Sequence, residues 1–193
     1  AIYFDKGFEC HLAYNFDLTE KMMLSLKRSD KPIFEDAVKN AREIPKESAW
    51  ANFLRSHDDA EFTFLSPAEK EELMAYFDPD AKCRFENHVT MRLASMFKGD
   101  KEKILDAFRM LFEAPGAKII YYGDEIGMEN EAVVEGEDMR RVSRGKFDWK
   151  KAEDEMNDTG SLYSGVRAII SENTRVLSAA LENVIMEEHA LGK

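Results

Sequence analysis

The run Ala49-Trp50-Ala51-Asn52-Phe53-Leu54, followed at once by Arg55-Ser56-His57-Asp58-Asp59, constrains this chain more than any other segment. The first six residues are mostly apolar, rich in aromatics and bounded by polar sequence, so they read as a buried strand. The strand then ends in a block of polar and ionisable groups. Burying such groups unpaired is costly, and a core strand does not normally stop this way. At the carboxyl end of a strand in a barrel or an open α/β sheet, however, that block is where active-site groups sit.

The rest of the chain alternates around this strand. Residues 9–16 read as a short strand, and residues 19–28 and 31–42 as helices, with Pro32 in the first turn of the second. Ser66-Pro67-Ala68-Glu69 carries a capping box and predicts a helix to Phe77. Residues 84–97 are expected to be helical. Asp100 caps a further helix in which Ile104, Leu105, Phe108, Leu111 and Phe112 share one face, and Pro115-Gly116 stops it. Residues 117–122 read as a buried strand closed by Gly123-Asp124-Glu125-Ile126-Gly127. A polar loop over 129–147 and a helix over 162–181 follow, then a tail at 182–193. Strands that alternate with helices imply a parallel sheet with helical crossovers. Three such units fall short of an eight-stranded barrel, which typically needs ~250 residues.

Composition narrows the function. The 193 residues give room for one domain with a sizeable core. A net charge of −11 argues against nucleic acid and against an anionic membrane surface. No apolar run reaches bilayer-spanning length. Cys10 and Cys83 are the only cysteines, and two free thiols suit a reducing cytoplasm, the expected location. No zinc-type spacing or EF-hand loop is present, so no metal and no cofactor is expected.

His57 and Asp58 are the first chemical candidates. At a strand end a carboxylate can stabilise a developing cation and an imidazole can hold a sugar hydroxyl. On the dipeptide alone, a satisfied core histidine beside a helix-capping aspartate is the simpler account. Arg55 shifts the balance, because an arginine beside Asp58 would keep it ionised. Asp124 and Glu125 read as structural acids in a glycine turn, with the loop itself as a cleft wall. Arg140, Arg141 and Arg144 lie in the long loop and fit either a functional loop or a solvated face. Tyr14, Phe16, Phe62, Phe64, Tyr122 and Trp149 are aromatics that can stack on sugar rings, although most aromatics fill cores.

Three of these segments together resemble a known family. Trp50-Ala51-Asn52-Phe53-Leu54-Arg55-Ser56-His57-Asp58-Asp59 resembles the seventh-strand motif of the α-amylase superfamily, glycoside hydrolase family 13. Ile119-Ile120-Tyr121-Tyr122-Gly123-Asp124-Glu125-Ile126-Gly127-Met128 resembles its eighth-strand motif, and Glu9-Cys10-His11-Leu12-Ala13-Tyr14-Asn15-Phe16 its sixth strand. They occur in the family's order, and the likeness extends to about Leu177. Within the superfamily the chain looks most like trehalose synthases and amylosucrases.

The resemblance implies an α/β fold, the carboxyl-terminal portion (about strands 6 to 8 with their helices) of a (β/α)8 TIM barrel. It assigns residues 1–181 to a partial catalytic barrel and 182–193 to a tail or the start of a further domain. It implies retaining cleavage or transfer of α-glucosidic bonds in an oligosaccharide or disaccharide. Asp58 matches the family's transition-state stabiliser and His57 its hydroxyl-binding neighbour. Arg55, Asp59 and Tyr14 are expected on the substrate, and Arg140 or Arg141 matches a family arginine on the leaving-group side. That last match is loose, because Lys146-Phe147-Asp148-Trp149 stands where the family has Pro-Met-Gln-Trp. No Gly-x-Arg-x-Asp strand for the nucleophile and no apolar strand ending in the acid Glu is found. The family pattern therefore has this chain start after the fifth strand, and the chain alone is expected to be inactive. Two other readings stand beside this one. One is a catalytically silent fragment that binds sugar weakly or associates with itself through sheet edges. The other is an acidic helical interaction domain without sugar chemistry, which requires that 49–54 and 117–122 are not adjacent parallel strands.

Overall fold

The computed structural model describes residues 4, 9–41, 44–58, 60–85 and 88–191, and for 61, 85 and 179–191 the backbone alone. In chain order the elements are β1 (Leu12–Tyr14), α1 (Phe16–Arg28), α2 (Lys31–Asn40), β2 (Ala49–Phe53), β3 (Ala60–Glu61), α3 (Pro67–Phe77), β4 (Arg84–Phe85), β5 (His88–Val89), α4 (Leu93–Met96), α5 (Lys101–Glu113), β6 (Ala117–Ile119), α6 (Trp149–Asn157) and α7 (Leu162–Leu191). Short 3-10 turns cover Asp124–Ile126 and Met139–Ser143.

The central sheet has the order β1-β2-β6, and both pairings are parallel. Tyr14 lies opposite Ala51, and Phe53 lies opposite Ile119, so the three carboxyl ends emerge together. Adjacency of β2 and β6 in parallel excludes the helical interaction domain. Helices α1 and α5 seal one face of the sheet. Met22, Met23, Leu24, Ile104, Leu105, Phe108 and Leu111 form the core there with Phe34, Leu73 and Phe77.

A buried polar relay ties the strands at fixed register. Asn15 caps α1 by accepting from the Leu18 amide, and its amide group donates to Asn52 Oδ1 at 3.1 Å. Asn52 then donates to the Pro115 carbonyl at 2.7 Å. Thr19 Oγ1 donates to the Phe53 carbonyl at 2.7 Å, which docks α1 on β2. Each buried polar side chain in this relay has a partner, as low-dielectric surroundings demand.

Several expected boundaries move. Residues 84–97 are not a helix. Arg84–Phe85 and His88–Val89 are strands of a second, antiparallel sheet of order β3-β5-β4, and only Leu93–Met96 is helical. Val89 and Leu93 are fully buried here, and local helix propensity gave way to that packing. The first strand is confined to Leu12–Tyr14, because Asn15 caps a helix that starts at Phe16 rather than Thr19. Helix α6 lies between the expected loop and the expected last helix, where no element was expected, with Asp148 accepting from the Lys151 amide as its cap. The last helix runs to Leu191, past the expected end at 181. The expected end of the second helix, Arg42, lies outside the described residues. Among the described residues no helix is long and apolar enough to cross a membrane.

Candidate functional site

A cleft of about 360 Å³ opens at the carboxyl ends of the parallel strands. Tyr14 from β1, Phe53 at the end of β2 and Ile120 just beyond β6 form its walls, and Arg55, His57 and Asp58 lie along its rim and floor. Tyr14, Phe16 and Phe53 pack edge to face, with Tyr14 and Phe53 centroids 5.5 Å apart. Tyr14 remains 59% exposed, so its ring is available to a ligand.

His57 and Asp58 stand at the mouth. The His57 side chain is 67% exposed and that of Asp58 34%, and no helix begins at Asp58. The pair is therefore neither a core histidine nor a helix cap. His57 Nε2 lies 3.2 Å from Asp58 Oδ2. The other carboxylate oxygen, Oδ1, accepts from Arg144 Nη2, and Arg140 Nη1 stands 3.5 Å away. Arg144 Nε also donates to the His57 carbonyl at 3.0 Å.

Arg140 bridges two acids. Its guanidinium donates to Asp138 as well, and that hydrogen bond holds the Asp138 carboxyl down at about 2. Arg141 instead turns outward to Glu137 at 2.5 Å. Asp59 lies outside the described residues. The structure thus gathers Tyr14, Arg55, His57, Asp58 and Arg140 around one opening and directs Arg141 away from it.

Arg55 meets the cleft from below. Its side chain is buried, stacks on the Tyr121 ring with the guanidinium carbon 4.4 Å from the ring centroid, and reaches to 3.9 Å from Asp124 Oδ2. Arg92, equally buried, approaches Asp124 Oδ1 to 3.6 Å. Burial pushes the Asp124 carboxyl up to about 6, against the pull of both guanidiniums. Burial also pushes the Tyr121 hydroxyl up to about 12, assisted by its hydrogen bond with Tyr122. Asp124 is thus a buried structural acid beneath the cleft, as its glycine-flanked turn predicts. Glu125 lines a different cavity, with Tyr122, Tyr163 and Arg167.

The long loop is anchored at both flanks. Asn130 accepts from the Arg92 amide at 2.7 Å, and its own amide N–H donates to Ser95 Oγ at 2.8 Å. The Tyr122 hydroxyl donates to the Gly145 carbonyl at 2.6 Å. Within the loop, Val142 and Ser143 are buried. Among the other aromatics, Phe62 is buried against Phe77 and serves the core, whereas Trp149 is 78% exposed. Arg92 escaped the sequence reading. Its one signal is an arginine between Met91 and Leu93 in an otherwise apolar approach to a helix.

Comparison with known proteins finds a family model, relatives and solved structures that are similar to this chain. A model of the α-amylase catalytic domain matches residues 79–159. A trehalose synthase of Thermus thermophilus is 36% identical over 126 residues, 65% of this chain and 13% of that protein. The trehalose synthase/amylase TreS of Mycolicibacterium smegmatis is 29% identical over 122 residues, 63% of this chain and 21% of that protein. The match thus spans less than a quarter of either relative. In three dimensions the sucrose 6F-phosphate phosphorylase from Thermoanaerobacter thermosaccharolyticum superposes with a TM-score of 0.71 at 17% identity, over 89% of this chain and 37% of that one. The α-amylase from H. orenii does so with a TM-score of 0.59 at 20% identity, over 90% and 33%. The chain thus has a partial α/β fold, and its structural neighbours are TIM-barrel enzymes of the α-amylase family.

Proposed function

We propose that this chain, which belongs to the α-amylase superfamily of glycoside hydrolases and is trehalose synthase-like, is the sugar-gripping part of a retaining enzyme that cleaves or transfers α-glucosidic bonds. The observation that carries the reading is the position of Asp58. It stands with His57 at the mouth of a cleft built at the carboxyl ends of three parallel strands, where enzymes of this architecture hold their chemistry. In this reading β1, β2 and β6 are the sixth, seventh and eighth barrel strands. Residues 1–181 belong to the barrel and 182–193 lead out of it.

Asp58 acts as the transition-state stabiliser. An anionic carboxylate beside the ring lowers the free energy of the positive anomeric carbon and accepts hydrogen bonds from ring hydroxyls. His57 donates to a hydroxyl of the same sugar. Tyr14 stacks on the ring, Arg55 supports the floor, and Arg140 lies toward the leaving group. Asp59 and Arg141 follow from the family pattern as further substrate contacts, and the outward pairing of Arg141 makes it the weakest of the set. Retaining chemistry needs two carboxyl groups about 5–5.5 Å apart. These come from residues outside the 193, so the chain alone is inactive. Substrates are of the maltose, trehalose, sucrose or α-glucan type, with no nucleic acid and no membrane as partner. A chain with only two cysteines fits a cytoplasmic location.

A second reading rests on the sheet edges. The outer sides of β1 and β6 have no strand partner among the described residues, and Leu12 on β1 is exposed. Such edges invite pairing with another chain, so a silent, self-associating module is the alternative.

Reducing-sugar release separates the two. The natural-length polypeptide carrying this chain should turn over at least one of maltose, trehalose and sucrose, and the 193-residue chain none. An inert natural-length protein, or an active chain, overturns the reading.

A further inference from the structure

The geometry points to Arg144 as the residue that positions Asp58 in the sugar site, an inference that rests on the function proposed above. One guanidinium spans two consecutive residues of the cleft rim. Nη2 meets Asp58 Oδ1, and Nε donates to the His57 main-chain carbonyl. A planar fork that grips a carboxylate and a neighbouring carbonyl fixes both the side chain and the backbone that carries it.

An exposed ion pair is ordinarily worth little, because two long side chains must be ordered to make it. Here the loop side of the pair is already ordered. Ser143, the preceding residue, is buried and donates its hydroxyl to the Arg140 carbonyl at 3.2 Å. The next residue, Gly145, has its carbonyl held by the Tyr122 hydroxyl. Arg144 therefore projects from a fixed platform toward Asp58. Because Arg144 takes Oδ1, the Oδ2 oxygen, beside His57, is the one turned to sugar hydroxyls. Arg144 is bonded to Asp58 and to the His57 carbonyl, so it acts through Asp58.

The test uses the natural-length polypeptide and four variants, Asp58→Asn, Arg144→Gln, Arg144→Lys and the double Asp58→Asn/Arg144→Gln. Arg144→Gln should lower kcat/KM about ten-fold, mostly through kcat, because the hydrogen bond it removes is to a charged group. In the Asp58→Asn background the same change should cost less than about two-fold, the non-additivity of residues acting as a unit. Arg144→Lys keeps a cation but not the fork and should recover part of the loss. Melting-temperature losses should be non-additive in the same sense, a readout independent of turnover. Arg109→Gln, which loses a pair with Asp106 on α5, should match the parent in turnover. If Arg144→Gln matches the parent, or its effects add to those of Asp58→Asn, the role of Arg144 is overturned while the sugar site stands. If Asp58→Asn itself leaves turnover unchanged, the site reading fails and Arg144 falls with it.

Discussion

Arg92 and Tyr122, thirty positions apart in sequence, are joined by a guanidinium-to-carbonyl hydrogen bond of 2.7 Å beneath the cleft. The same guanidinium lies 4.8 Å from the Tyr122 ring centroid and faces Asp124. Arg92 thus ties the segment leaving the antiparallel sheet to the turn beyond β6. Arg92→Met removes a buried cation that faces a buried carboxyl. Breaking such a pair from one side costs about 3–5 kcal/mol. Urea unfolding should show a loss of that size, and a loss below about 1 kcal/mol would mean that the cluster is not coupled.

The Asp124 carboxyl carries a pH dependence whose sign follows from its raised value of about 6. Folding favours its protonated form. The stability from this group is therefore fully present below the ordinary carboxylate range and is lost as pH rises through about 6. Unfolding free energies of the parent and Asp124→Asn should diverge between pH 4 and 7, with the parent gaining on the variant as pH falls. A difference that does not change with pH would place the carboxyl at its ordinary value.

Glu20 is fully buried on α1, and its carboxylate accepts from the amides of Phe64 at 2.8 Å and Leu65 at 3.0 Å. It pins the segment between β3 and α3 to the helix. Hydrogen bonds to charged groups contribute about 1.5–3 kcal/mol, and leaving their donors buried and unpaired adds to the cost. Glu20→Ala should therefore lower stability by about 3 kcal/mol or more in denaturant titration. Amide exchange at Phe64 and Leu65 should accelerate with it.

Gly116 has φ +107°, and a Cβ there would meet the Trp50 carbonyl oxygen of β2 inside contact distance. Both facts oppose any side chain. Gly116→Ala should destabilise by more than about 1 kcal/mol, because the obstacle is backbone in the neighbouring strand and cannot swing aside. Gly136, also at positive φ but with open space around it, should tolerate alanine better. The two melting temperatures give the comparison.

The parts of the fold legible in sequence were those written locally. The apolar run before Arg55, the capping box at Ser66 and the stop at Pro115-Gly116 each name their element without help from distant residues, and the parallel order of the strands follows from the helices between them. The antiparallel sheet was not legible. Its strands are two residues each and are held by pairing across loops, which leaves no periodicity to read. At the site, the polar block after the strand lies along the cleft, as its place at a strand end implies. Which arginine reaches Asp58 was hidden, because Arg140, Arg141 and Arg144 look alike in sequence. The 3-10 turn over Met139–Ser143 decides that Arg141 faces Glu137 while Arg144 faces Asp58.

The most direct measurement is kcat/KM of Asp58→Asn in the natural-length polypeptide on the sugar that the parent turns over best. Asn keeps the shape of the side chain and removes the charge that faces the cation. Loss of one preorganised electrostatic stabiliser costs about 10²–10³-fold in rate, and a fall of at least that size, with the melting temperature near that of the parent, is the result expected. Turnover equal to that of the parent would contradict the account, because the carboxylate at the cleft mouth would then have no part in the chemistry.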